Sequence, residues 1–240
     1  MSTPLAHCAE LVSRLRDDVD ELTVRSEALG LPAPHGEEWY ELLVHKLLPQ
    51  LAGGPLIVAV VGGTNTGKSV VFNHIAGHIV SGISPLASGT RHPLCLVPAD
   101  FNTSQLASTF EGFSLKPWSA PEDTLTEDSE HRLYWRTDQS LSENLLVLDS
   151  PDIDSDAEVN WERAQRLRQS ADVLVAVLTQ QKYNDAAVKQ FFRQAAEEDR
   201  AVLVVFNQCL LPADEAYWPA WLKTFVDETG TEPHFVYLAP

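Results

Sequence analysis

The chain has 240 residues, 34 acidic and 17 basic, giving a formal net charge of −17 with 44% hydrophobic residues. That length suits one α/β domain with an appendage, and the apolar content is that of a globular chain with a sizeable core. The acidic balance argues against a direct nucleic-acid surface and against electrostatic docking on anionic lipid, since both need basic patches.

Residues 3–29 read as one helix, with Thr3 as the expected N-cap and Pro4 in the first turn. Leu5, Cys8, Val12, Leu15, Val19 and Leu22 alternate steps of three and four, an a/d seam suited to another helix. Leu31-Pro32-Ala33-Pro34 breaks it. A second helix is expected from about Glu37 to Leu51, with Trp39, Leu43, Leu47 and Leu51 on one stripe. Residues 1–52 are therefore expected to form an N-terminal helical hairpin. It either caps the main domain or serves as a stalk for self-association or for an effector protein. Gly53-Gly54 is the hinge into the main domain, residues 53–240.

Leu56–Val61 is an unbroken apolar run and predicts a buried strand. Gly62-Gly63-Thr64-Asn65-Thr66-Gly67-Lys68-Ser69 follows and matches a phosphate-binding loop at every position, and a helix over 68–77 comes next. The chemistry accounts for the spacing. The glycines let successive N–H groups turn inward toward phosphate oxygens, and the helix aims its positive end at the same anion. Lys68 is expected on the outer phosphates, and the Ser69 hydroxyl on Mg²⁺.

Residues 78–92 read as a loop, Leu94–Val97 as a short strand, and 99–130 as an irregular insertion rich in Ser, Thr, Pro and acid. His131–Arg136 alternates like a half-exposed strand. Asn144–Asp149 reads as a buried strand ending in an acid, followed by helix 158–170 and strand 173–178. Helix 184–198 starts at the caps Asn184-Asp185, strand 201–206 ends at Asn207, helix 214–228 carries Trp218, Trp221 and Phe225, and strand 234–238 closes the order. Strands alternating with helices predict a three-layer α/β domain with a mostly parallel sheet. Its functional groups gather at the carboxyl ends of the strands. Asp149 fits the acid that holds Mg²⁺.

Cys8, Cys95 and Cys209 form no CxxC pair, which points to a reducing compartment and no zinc site. No signal peptide pattern follows Met1, and the longest apolar run is too short for a bilayer span. The expectation is a cytoplasmic protein whose membrane association would come only through further segments.

The loop Gly62–Ser69, Thr90 before a strand, Asp149-Ser150-Pro151 and Val205-Phe206-Asn207 together resemble a P-loop GTPase of the Era-like and dynamin-like kind over about residues 55–240. The resemblance implies a nucleotide-controlled switch or dynamin-like assembly domain that hydrolyses GTP to GDP and phosphate with Mg²⁺. By it, Gly63, Thr64, Asn65, Thr66, Gly67, Lys68, Ser69 and Val70 cradle the nucleotide phosphates, while Asn207 and Gln208 serve the guanine base. Ser69, Thr90 and Asp149 serve the metal, with Ser84 and Ser88 competing for the part of Thr90. Lys68, Thr90 and Asn65 are the catalytic candidates. Asn65 matches the loop asparagine of relatives that use K⁺ as a catalytic charge, and equally suits a turn.

Three departures stand out. The family pattern Asp-x-x-Gly is Asp149-Ser150-Pro151-Asp152 here, placing a carboxylate where the γ-phosphate is expected. The next position, often a water-orienting glutamine, is Ile153. The base motif Asn-Lys-x-Asp is Asn207-Gln208-Cys209-Leu210, without the guanine-reading acid unless Asp214 folds back. An ATPase of relaxed base preference and a non-hydrolysing scaffold therefore stay open. His74 and His78 share a helix face at metal-binding spacing but show no third ligand, and Lys182, near a strand end, either serves the site or is solvated.

Overall fold

A computed structural model describes residues 4–31, 39–40, 47–51, 54–83, 89–126, 129–155 and 158–240. The chain divides into two compact units, Met1–Pro55 and Leu56–Pro240. In the first, helix α1 spans Pro4–Ala28 and a one-turn helix spans Leu48–Leu51. Val19 and Tyr40 are buried together, with Val12 packed on them, and the Tyr40 hydroxyl donates to Asp20.

The expected seam is only partly used. Val12 and Val19 face the buried cluster, while Leu15 and Leu22 are 46% and 51% exposed. The buried aromatic is Tyr40 rather than the expected Trp39, because its ring packs while its hydroxyl finds a carboxylate. Thr3, Leu43 and most of the expected second helix lie outside the described residues, as do Pro32–Pro34 and Gly53.

The second unit is built on an eight-stranded sheet among the described residues. The strands are β1 (Leu56–Gly62), β2 (Leu94–Pro98), β3 (Ser114–Pro117), β4 (Arg132–Asp138), β5 (Leu145–Asp149), β6 (Val173–Leu178), β7 (Ala201–Phe206) and β8 (Phe235–Leu238). Their order is β3-β4-β2-β5-β1-β6-β7-β8. Every pairing is parallel except β2 with β5. The mostly parallel sheet follows from the buried, β-branched strands and the helices between them.

Alternation along β1 sorts its side chains to two faces. Ile57, Ala59 and Val61 join one core cluster, and Val60 joins the other. Helix α2 (Lys68–Ala76) covers the second face through Phe72 and Ala76. Helices α3 (Glu158–Ser170), α4 (Ala186–Glu197) and α5 (Trp218–Thr229) cover the first through Leu167, Phe191, Phe192, Trp221 and Phe225. The Asp185 side chain accepts from the Ala187 and Val188 amides and caps α4 as expected. The helix expected over 214–228 is split into a 3₁₀ turn, Ala213–Ala216, and α5, which has Pro219 in its first turn.

The stretch expected to be irregular contributes structure. It carries the edge strand β3, a one-turn helix at Leu106–Thr109, and 3₁₀ turns at Thr103–Gln105 and Pro121–Leu125. A four-residue strand, Ser-Leu-Lys-Pro, is too short and too polar to show a period. This segment also grips the loop that precedes β2. Trp118 Nε1 donates to the Val80 carbonyl at 2.9 Å. The Thr124 carbonyl accepts from the amides of Arg91 and His92 at 2.8 and 3.1 Å. A Cβ on Gly82 would lie 2.7 Å from the Pro121 carbonyl oxygen.

Phe72 is fully buried beneath the loop that opens α2. Phe72→Ala is expected to cost about 3–5 kcal/mol in denaturant unfolding; a change under about 1 kcal/mol would contradict this packing.

Candidate functional site

The sheet register brings the chemistry to one edge. Val60 aligns with Asp149, Gly62 with Val177, and Leu178 with Phe206, so β1, β5, β6 and β7 end together. Because β2 runs antiparallel to β5, Leu94 aligns with Asp149, and the residues before β2, Thr90 included, arrive at the same edge.

The turn after β1 depends on two glycines. A Cβ on Gly62 would lie 2.3 Å from the Val177 carbonyl oxygen. Gly67 has φ +87°, and a Cβ there would lie 2.3 Å from Asn207 Nδ2. Asn65 adopts the left-handed conformation at φ 60°. Thr66 Oγ1 and Lys68 Nζ both donate to the Gly63 carbonyl, at 2.9 and 2.8 Å. The Lys68 amine is 4% exposed and also pairs with the Asp152 carboxylate.

At the start of α2, the Ser69 hydroxyl donates to Asp149 Oδ2 at 2.7 Å and lies 3.0 Å from the Thr90 hydroxyl. Ser81 donates to the same Asp149 oxygen at 2.5 Å. Ser81 did not enter the sequence reading. Asn73 holds it there, accepting from the Val80 and Ser81 amides and donating to the Ser81 carbonyl, each at 2.9 Å. Asp149 Oδ1 is buried without a hydrogen-bond partner. Burial pushes the Asp149 carboxyl up to about 6, against the downward pull of the Ser81 and Ser69 hydroxyls and the Lys68 charge. Two hydroxyls around a carboxylate with a spare oxygen form a hard-oxygen donor set that fits Mg²⁺. Ser84 and Ser88 lie outside the described residues.

The segment after Asp149 folds onto the loop. Asp154, which the sequence reading missed, accepts from the Thr64 amide and hydroxyl at 2.5 and 2.7 Å. Lys182 is not simply solvated: its Nζ donates to Asp154 Oδ2 at 2.5 Å. Burial raises the Asp154 carboxyl, but Lys182 and Thr64 outweigh that effect and hold it below its usual range. Residues 151–155 form a turn rather than a strand, so no periodicity in the sequence marked Asp154. Ile153 is 1% exposed in the core and donates its amide to the Gly62 carbonyl at 3.3 Å.

After β7, Asn207 Nδ2 donates to the Thr66 carbonyl at 2.8 Å and Gln208 Nε2 to the Asn65 carbonyl at 3.0 Å. Both side chains staple the phosphate loop. Asp214 accepts from the Leu210 amide at 2.7 Å and does not line the cleft, while the Leu210 side chain is 74% exposed. A cleft of about 240 Å³ is lined by Asn65, Gly67, Lys68, Ser69, Val70 and Thr90, together with Gly82, Asp152 and Gln208. Thr66, Asp149 and Asn207 are buried residues absent from this lining. His78 pairs with Asp138 at 3.2 Å, and among the described residues no group of three or more His, Cys, Asp or Glu suits a metal ion.

This strand, glycine loop and helix, with an acid and hydroxyls beside the lysine, define a P-loop nucleotide-binding protein. The family described as 50S ribosome-binding GTPase (MMR_HSR1) matches residues 57–208, and the chain belongs to that family. It is 31% identical over 105 residues to GTPase Der of Paenarthrobacter aurescens (strain TC1), covering 38% of this chain and 21% of that protein. Solved structures similar to it include a point variant of Aquifex aeolicus Era bound to GDP·AlF4⁻, at TM-score 0.48 and 18% identity over 76% of this chain and 50% of that one. A second is Era in complex with MgGDPNP and nucleotides 1506–1542 of 16S ribosomal RNA, at 0.47 and 18% over 78% and 51%. A dimerization-deficient mutant of Toc33 from Arabidopsis thaliana gives 0.45 and 16% over 82% and 75%. The match thus spans about a fifth of the Der sequence and half of each Era chain.

Lys182→Ala is expected to destabilise the fold by about 1 kcal/mol at pH 7. Asp154 is held below its ordinary range, so this contribution is present above about pH 4 and closes as pH falls through the carboxylate range. Urea unfolding of both proteins between pH 7 and 3 measures it; a difference that stays constant with pH would refute the pairing as its source.

Proposed function

We propose that residues 53–240 act as a Mg²⁺-dependent, GTP-binding switch that hydrolyses GTP to GDP and phosphate, behind an N-terminal helical hairpin of residues 1–52. The observation that carries this reading is the phosphate loop with Lys68 beside the oxygen cluster of Ser69, Thr90 and Asp149. Loop amides from Gly63 to Val70 and the start of α2 receive the phosphates. Lys68 neutralises the outer phosphate oxygens. Ser69, Thr90 and Asp149 hold the metal, which when bound neutralises charge developing on the phosphates.

In hydrolysis, water attacks the γ-phosphorus and the bond to the β–γ bridging oxygen breaks. Ile153 is packed in the core, so no side chain at that position orients the water. Asn65 lines the cleft in the left-handed conformation, which supports a part in placing K⁺ there as a catalytic charge. Turnover is then slow without a partner. Residues 79–92 and 149–160 are the two switch segments. Family membership supports guanine as the base. The exposed Leu210 supports a second reading, relaxed base preference that admits ATP, because a leucine stands where the family pattern has the acid that pairs with the guanine N–H groups.

The acidic balance supports a protein partner rather than RNA on this portion, met through the N-terminal helices or by self-association. Free Cys8, Cys95 and Cys209 suit the cytoplasm. Among the described residues no helix is long and apolar enough to cross a membrane.

Calorimetric titration with GTP, GDP and ATP in Mg²⁺ buffer, in K⁺ and in Na⁺, tests the reading. Preferential binding of GTP and GDP is expected, with K⁺ accelerating phosphate release. Lys68→Ala is expected to lower nucleotide affinity by at least about a hundredfold while leaving the fold intact. Unchanged affinity in that variant would show that the site lies elsewhere.

A further inference from the structure

We propose that Asp152 sets the nucleotide preference of this site, favouring the diphosphate over the triphosphate. The inference rests on the nucleotide reading above and extends it to the side chain that decides between the two ligands.

Asp152 lines the cleft together with Lys68, Ser69 and Thr90. Its carboxylate pairs with the Lys68 amine, and the two side chains are 6% and 4% exposed. The second Lys68 partner is the Gly63 carbonyl at 2.8 Å. Lys68, the one basic residue of the loop Gly62–Ser69, is therefore committed to protein oxygens in this structure. An ammonium has three donors. Two are used here, so a ligand that needs Lys68 for its outermost phosphate has one donor left unless Asp152 is displaced.

Charge makes this competition selective. A terminal phosphate brings about two negative charges at neutral pH. Placed beside Lys68 it faces the Asp152 carboxylate across a few ångströms in a partly dry site, where like charges repel strongly. A diphosphate also ends in a doubly charged phosphate, but held by the loop amides and the start of α2 it ends one phosphate short, further from Asp152. Neighbouring bonds keep the carboxylate close. Ile153 N–H is fixed to the Gly62 carbonyl, and Asp154 is fixed to Thr64 and Lys182, so the backbone on the far side of Asp152 is tied to the loop. Asp152 thus occupies Lys68 much as a terminal phosphate would, and the triphosphate has to open the segment 152–154 to enter.

The test compares wild type with Asp152→Asn and Asp152→Gly in the full 240-residue chain. Binding of GDP and of a non-hydrolysable GTP analogue is measured by calorimetry with Mg²⁺, and thermal unfolding checks the fold. Asp152→Asn keeps the shape and a hydrogen bond to Lys68 while removing the charge. The expected result is an analogue affinity raised about tenfold or more, with GDP affinity changed less than about threefold. Asp152→Gly should move both affinities in the same directions. If both ligands shift equally, or neither shifts, while wild type still binds GDP, Asp152 does not discriminate. If wild type binds neither nucleotide, the functional reading falls and this proposal with it.

Discussion

A lysine ammonium that is 4% exposed must find partners for its charge, and most of the site follows from how that requirement is met. The Gly63 carbonyl and Asp152 supply them from two different segments. The loop can bring Lys68 to the carbonyl only because Gly62 approaches β6 without a side chain and Gly67 takes a left-handed turn. Asp152 is in reach only because β5 ends in register beside β1. The parallel sheet, the glycine turn and the second acidic segment are thus bound to one charge.

The architecture was largely legible in the sequence, and the reason is periodicity. Short apolar runs rich in β-branched residues, such as Val173–Leu178 and Ala201–Phe206, favour strands inside a covered sheet; the first is almost wholly buried and the second alternates between buried and half-buried. The phosphate loop was legible for a different reason, since its backbone path admits few residue types. What escaped were features set by long-range geometry. The strand β3 is four residues long and takes its direction from β4. The Ser81 contact with Asp149 exists because Asn73, eight residues earlier, clamps the chain at Ser81. The Asp154–Thr64 and Asp154–Lys182 bonds join residues 90 and 28 positions apart. Spacing along the chain carries no trace of such pairs.

Departures from the family pattern have a common physical sense. Where Gly is expected there is Asp152, where Lys is expected there is Gln208, and where Asp is expected there is Leu210. Gln208 still reaches the Asn65 carbonyl, so the structural task at that position survives the loss of charge. Asp214 is retained close to the base loop, yet its oxygen holds the Leu210 amide and so serves the loop's own shape. The phosphate-loop pattern is kept residue for residue, while the family pattern is altered at the positions after β5 and after β7.

The grip of residues 118–125 on the loop before β2 has a mechanical meaning. Val80 is tied to Trp118 on one side, and Arg91 and His92 are tied to Thr124 on the other. Arg163, on α3, adds a bond to the Arg91 carbonyl at 2.8 Å and another to the Glu130 carbonyl. Val80 on one side and Arg91 and His92 on the other are therefore both anchored to residues 118–125. The bonds at Arg91 and His92 thus join the chain just before β2 to the 3₁₀ turn Pro121–Leu125 and to helix α3, so a shift at one of these places strains the other two.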